Sequence, residues 1–230
     1  MIEPVDAEKI DRARARLKTP KAAAIAGIVF SVLLIAILWL LRRSVPADPL
    51  DSGAWIATQS GAVIVALNLV PFAGVAFLWF IGVLRDRLGE LEDRFFATVY
   101  LGSALLFLAM LFTLASIVGA MILTFAAQPK DLMDSVSFHF ARTLAYTIVN
   151  IYMIKMAAVF MISTSTVVIH TNIAPRWVAF LGFAIALLLL FVSSYFSWIF
   201  VAFPFWVFLI SVCLLFDELY RESPETAENL

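Results

Sequence analysis

Residues 177–216 read WVAFLGFAIALLLLFVSSYFSWIFVAFPFWVFLISVCLLF, a run of 40 positions without one charged side chain. As a single straight helix it would be about 60 Å long, twice the roughly 30 Å hydrocarbon core of a bilayer. The run therefore predicts two helices folded back on each other. Ser193-Ser194-Tyr195-Phe196-Ser197-Trp198 is the expected turn. Its hydroxyls can satisfy freed backbone groups, and Tyr195 and Trp198 suit the headgroup layer. Pro204 then falls in the first turns of the following helix, where a missing N–H matters little. A turn at Pro204 itself is the alternative, and it would leave a short last span.

Four apolar blocks precede this one: Ala22–Leu41, a block from about Ile56 or Gly61 to Leu84 with Pro71 near its middle, Ala97–Phe125, and Thr143–Ile169. Each is close to or beyond the roughly 20 residues that one crossing needs. The fold class expected is thus all-α, a polytopic transmembrane helical bundle of six spans, with five as the alternative. The first block is too long for the h-region of a signal peptide and is expected to be retained as an anchor. The two halves of the chain show no sequence echo, so repeat symmetry is not expected.

Composition leads to the same class. Hydrophobic residues are 63% of the 230, charged residues 14%, and the mean hydropathy is +0.98, too little polar surface for a water-soluble chain to cover itself. The charges are confined almost entirely to the joints between apolar blocks, which identifies lipid as the solvent. The expected organisation is a tail over 1–21, the bundle over 22–216 and an acidic tail over 217–230. No basic cluster with interleaved aromatics occurs, so nucleic acid is not an expected partner. The expected partners are the lipid bilayer and either a homo-oligomer or a partner membrane subunit.

Orientation follows from Lys and Arg. With the N-terminus inside, the cytoplasmic segments hold 11 of them and the outer segments only 4, namely Arg42, Arg43, Lys130 and Arg142. The asymmetry predicts both termini in the cytoplasm and a place in the plasma or inner membrane. Arg42-Arg43 at the outer end of the first span runs against the rule.

Lys155 is the first candidate for chemistry. It lies near the middle of the fourth block, where a lysine opposes insertion by about 2.5–3.5 kcal/mol. No Asp or Glu lies in any span, so its partners would be hydroxyls, amides, carbonyls, water or a bound anion. Tyr152, Ala158, Val159 and Ile162 share its face at helical spacing, while Asn150 lies on another. The alternative is a lysine that snorkels to an interface. Asn68 precedes Pro71 by almost one turn, and Pro71 leaves the carbonyl of Leu67 without its helical donor. Asn68 would bond across to another helix or fill that gap. Lys155, Asn68 and Tyr152 form the candidate intramembrane polar site.

Other chemistry is not legible. His139 is expected in the outer loop and His170 at the cytoplasmic end of the fourth span, more than about 40 Å apart at helical rise, too far to share a metal. Cys213 is alone, which rules out an intrachain disulfide. No HExxH, GxSxG, GxxxxGK[ST] or GxGxxG occurs. No cofactor, metal or catalytic residue is expected, and an enzyme is the least supported class. The hydroxyls Ser163–Thr166 are expected to bond the carbonyl four residues back. Small residues at Ala22/Ala26, Ala23/Gly27 and Ala115/Gly119 would let helices approach closely. The functional expectation is a small channel or carrier for an anion or polar amphiphile built on Lys155, Asn68 and Tyr152. The alternative is a non-catalytic protein that packs with partner subunits through the Arg85–Arg94 loop and the tails.

Overall fold

Among the described residues, all five apolar blocks are helical. The computed structural model describes residues 20–46, 48, 51, 53–88, 94–127, 135–171, 174–191 and 199–227. The helices are α1 (Pro20–Ser44), α2 (Trp55–Leu88), α3 (Arg94–Ala127), α4 (Val136–Thr147), α5 (Ile154–Thr171), α6 (Arg176–Phe191) and α7 (Ala202–Ala227). A π-helical turn, Ile148–Met153, joins α4 to α5, and a 3₁₀ turn, Ile199–Val201, leads into α7. No strand occurs among the described residues. Five segments are long and apolar enough to cross a membrane: Ala22–Ser44, Trp55–Arg85, Ala97–Ala127, Val136–His170 and Ile199–Phe216.

The described parts of the final apolar run are the short helix α6 and, after the turn Ile199–Val201, α7, with Pro204 in its first turn. The expected turn at Ser193–Trp198 lies outside the described residues, as does nearly all of the 1–21 tail and the centre of the Arg85–Arg94 loop. Two boundaries differ from expectation. The fourth crossing begins at Val136 rather than Thr143, because Ser135 caps α4 by accepting a hydrogen bond from the backbone N–H of Phe138 at 3.2 Å. His139 is therefore a helix residue and not a loop residue. At the other end, α7 continues past Phe216 to Ala227, so the acidic tail begins as helix.

The helices close into a ring. α1 packs on α2 and α7, α3 on α2 and α5, and α6 on α5 and α7. Each of the five long helices sends one phenylalanine to the centre: Phe30, Phe77, Phe107, Phe160 and Phe203, all at most 3% exposed. Phe77 is the hub, with ring centroids 4.4 Å from Phe30, 5.5 Å from Phe107, 5.3 Å from Phe160 and 6.1 Å from Phe203. Most of these contacts are edge-to-face, the arrangement that aromatic quadrupoles favour. Lipid tails are as apolar as these rings, so the gain is in shape and dispersion rather than transfer from water.

Small residues set the closest approaches. A methyl group on Gly182 of α6 would collide with Ser165 Oγ of α5 and come within 2.7 Å of the Trp206 indole nitrogen of α7. That indole N–H donates to the carbonyl of Val178 at 3.0 Å. Gly27 of α1 stands similarly against Ser211 and Phe80, as the Ala23/Gly27 spacing foretells. Ser163, Thr164 and Thr166 donate to the carbonyls of Val159, Phe160 and Ile162, four residues back, at 2.8–3.0 Å.

Candidate functional site

One end of the bundle is held by the α1–α2 connection. Gly53 adopts φ 81°, a left-handed conformation, and its N–H donates to Asp51 Oδ1 at 2.9 Å. The ring of Phe138 lies directly against its Cα, so glycine is required here both for backbone angle and for space. Arg142 of α4 is 6% exposed and ties the connection down from the other side. Its Nη2 donates to the carbonyls of Asp48 at 2.6 Å and Pro46 at 3.3 Å, and lies 3.9 Å from Asp51 Oδ1. Charge-assisted bonds of this kind are about twice as strong as neutral ones.

Behind this clasp is a cavity of about 320 Å³ between α1, α2, α3 and α4. Its depth is walled by apolar side chains, among them Leu34, Leu38, Val70, Leu111 and Met153. The clasp end is polar, with Arg42, Asp48, Arg142, Tyr146 and Trp55, and Asn150 adds an amide beside Met153. Trp55 is 6% exposed and its indole N–H has no acceptor among the described residues. Arg42 lies with its guanidinium carbon 5.5 Å from the centre of the Phe200 ring, and no carboxylate among the described residues reaches it. Arg43, by contrast, turns outward over Trp39 at 4.6 Å. The two adjacent arginines thus have different surroundings.

The π turn shapes the wall. In a π turn the N–H bonds five residues back, which displaces the i−4 pairing and is common at functional sites. Asn150 Nδ2 donates to the carbonyl of Tyr146 at 2.8 Å, taking the place of a backbone donor. Val149, Asn150 and Met153, all in this turn, face the cavity. At the inner end, a void of about 20 Å³ shares Leu34, Leu38, Met153 and Phe200 with the cavity and is closed by Phe107 and Phe203.

No family model, curated protein or solved structure matches the chain.

Of the residues singled out in the sequence, Lys155, Asn68 and Tyr152 are all exposed on the outside of the bundle, and none lines the cavity. Asn68 and Lys155 are on α2 and α5, with α3 packed against both helices. Asn150 lies on a different face from Lys155, as the wheel indicates. Ala158 does not share the outward face, being fully buried. The cavity's own residues escape sequence reading for a definite reason. Arg42 and Arg142 count there simply as outer-side cations, and the carbonyls that hold Arg142 are backbone groups 94 and 96 residues away. The one visible signal is that Arg42-Arg43 would run against the charge rule in a chain whose N-terminus is inside.

Proposed function

We propose that the protein is a six-span protein of a cell membrane, both termini cytoplasmic, that binds an anionic amphiphile in this cavity and carries it. The eleven-to-four distribution of Lys and Arg supports the orientation. α6, about 24 Å long at helical rise, is counted as the sixth crossing, a mismatch that bilayers accommodate by local thinning.

One observation carries the reading. A cavity walled along its depth by hydrocarbon side chains ends in Arg42, which no described carboxylate reaches, and in Trp55, whose buried N–H has no described acceptor. A group with anionic oxygens at its head and an alkyl tail suits both ends. Water-sized units take about 30 Å³ each, so the volume accommodates about ten methylene-sized groups, the size of one acyl chain of medium length. The packed phenylalanine centre beneath the cavity favours binding and carriage over an open channel.

Dodecanoate titrated into the purified protein in non-ionic detergent tests this reading. Dodecanoate is expected to bind more tightly than dodecanol, and Arg42→Met to weaken it about tenfold, the worth of one charge-assisted hydrogen bond. Equal affinity for acid and alcohol, or an Arg42→Met protein that binds as the wild type does, would remove the headgroup role of Arg42 and with it the proposal.

A further inference from the structure

Lys155 stands in a setting that nothing among the described residues completes. Along the continuous helix formed by α4, the π turn and α5, it lies 13 residues beyond Arg142, which is at the polar end of the cavity. That is about 20 Å deeper at helical rise. His170, at the far end of the same crossing, is a further 15 residues on, about 22 Å. Lys155 is therefore deep within a hydrocarbon layer of about 30 Å. Its side chain is exposed and makes no hydrogen bond or ion pair to any described residue.

The face around it is otherwise apolar. Ile151 and Tyr152 are 44% and 56% exposed one turn before it, and Val159 and Ile162 are half-buried after it. A lone ammonium on such a face is stabilised most directly by an anion at the same depth. This chain has none to offer, because its crossing segments contain neither Asp nor Glu. A second copy apposed through the same face would bring another lysine and repel. Lipid phosphate is at headgroup level, half a bilayer away.

We infer that the Lys155 face of α5 docks a transmembrane helix of a different protein, one that carries an Asp or Glu near the middle of its span. The carboxylate pairs with the ammonium, and Ile151, Tyr152, Val159 and Ile162 supply the flanking surface against which that helix packs. Two partners that are each unfavourable alone in lipid become neutral together, which sets both the identity and the depth of the contact. The inference is independent of the amphiphile cavity, whose lining excludes every residue named for this face.

Photocrosslinking in native membranes tests it. A benzoyl-phenylalanine placed at Ile151 or at Val159 of the full-length protein is irradiated and the adducts are sequenced. The expected result is an adduct with a transmembrane segment of another protein that contains an acidic residue. Its yield should fall about tenfold or more in Lys155→Met and persist in Lys155→Arg, the ratio expected for loss of one charge-assisted contact. Lys155→Met removes a charge from an apolar span, so insertion is favoured rather than impaired; monodispersity in detergent checks this. An adduct unchanged by Lys155→Met, a captured span without an acid, an adduct with a second copy of the chain, or adducts with phospholipid only would each overturn the inference.

Discussion

Arg142 Nη2 lies 2.6 Å from the carbonyl oxygen of Asp48, so a buried guanidinium in the fourth crossing holds the connection between the first two. The clasp bridges 94 residues of sequence, and it forms one wall of the cavity. Arg142→Met should destabilise the protein by about 3 kcal/mol, since two carbonyls lose a charged donor and Asp51 loses its cation. A lowered midpoint in thermal denaturation followed by size-exclusion would check it. Arg142→Lys, which keeps the charge without the planar fork, is expected to recover only part of the loss.

Gly53→Ala meets two penalties at once, a left-handed backbone angle and the ring of Phe138. The expected loss is about 2–3 kcal/mol, of which the angle alone accounts for about 1–2. Combining it with Phe138→Leu should relieve the contact and leave the angular part. The comparison of single and double variants separates the two.

Gly182→Ala drives a methyl group into Ser165 and Trp206 at the junction of three helices. Over-packing of this kind costs about 1–3 kcal/mol. Adding Ser165→Gly opens the space on one side, so the pair should be more stable than Gly182→Ala alone. If the double variant melts no higher than the single one, Trp206 rather than Ser165 limits the fit.

Asn150→Leu removes the side-chain donor that satisfies the carbonyl of Tyr146 within the π turn. Stability should fall by about 1 kcal/mol, the net worth of a hydrogen bond. Affinity for dodecanoate should change too, because Val149 and Met153 line the cavity from the same turn. A variant that loses stability yet binds dodecanoate unchanged would show that the turn does not shape the pocket.

Phe77→Ala opens the centre of the bundle, where that ring touches Phe30, Phe107, Phe160 and Phe203. The expected loss is about 3–5 kcal/mol, with Phe77→Leu milder. Thermal unfolding in detergent would measure both.

The helices were legible because a crossing needs a fixed length of apolar residues, and blocks such as Ala97–Phe125 have that length with charges at their edges. The start of the fourth crossing was not, since Val136–Arg142 mixes a histidine and an arginine into its first turns and resembles a loop in composition. The outward direction of Lys155 was equally hidden. The wheel puts Lys155 with Tyr152 and apart from Asn150, as found, but periodicity does not say whether that face meets a cavity or points outward. The cavity escaped because its polar end depends on backbone carbonyls and on which of two adjacent arginines turns inward, and neither is a property of residue type.

The central cluster draws one ring from each of the five long helices, and Phe203 belongs to the last of them. The four earlier rings already pack on one another through Phe77, and Phe203 adds a contact to each of them. Without Phe203 the other four rings would keep their mutual contacts while each lost one, so closure of the cluster falls to the last helix.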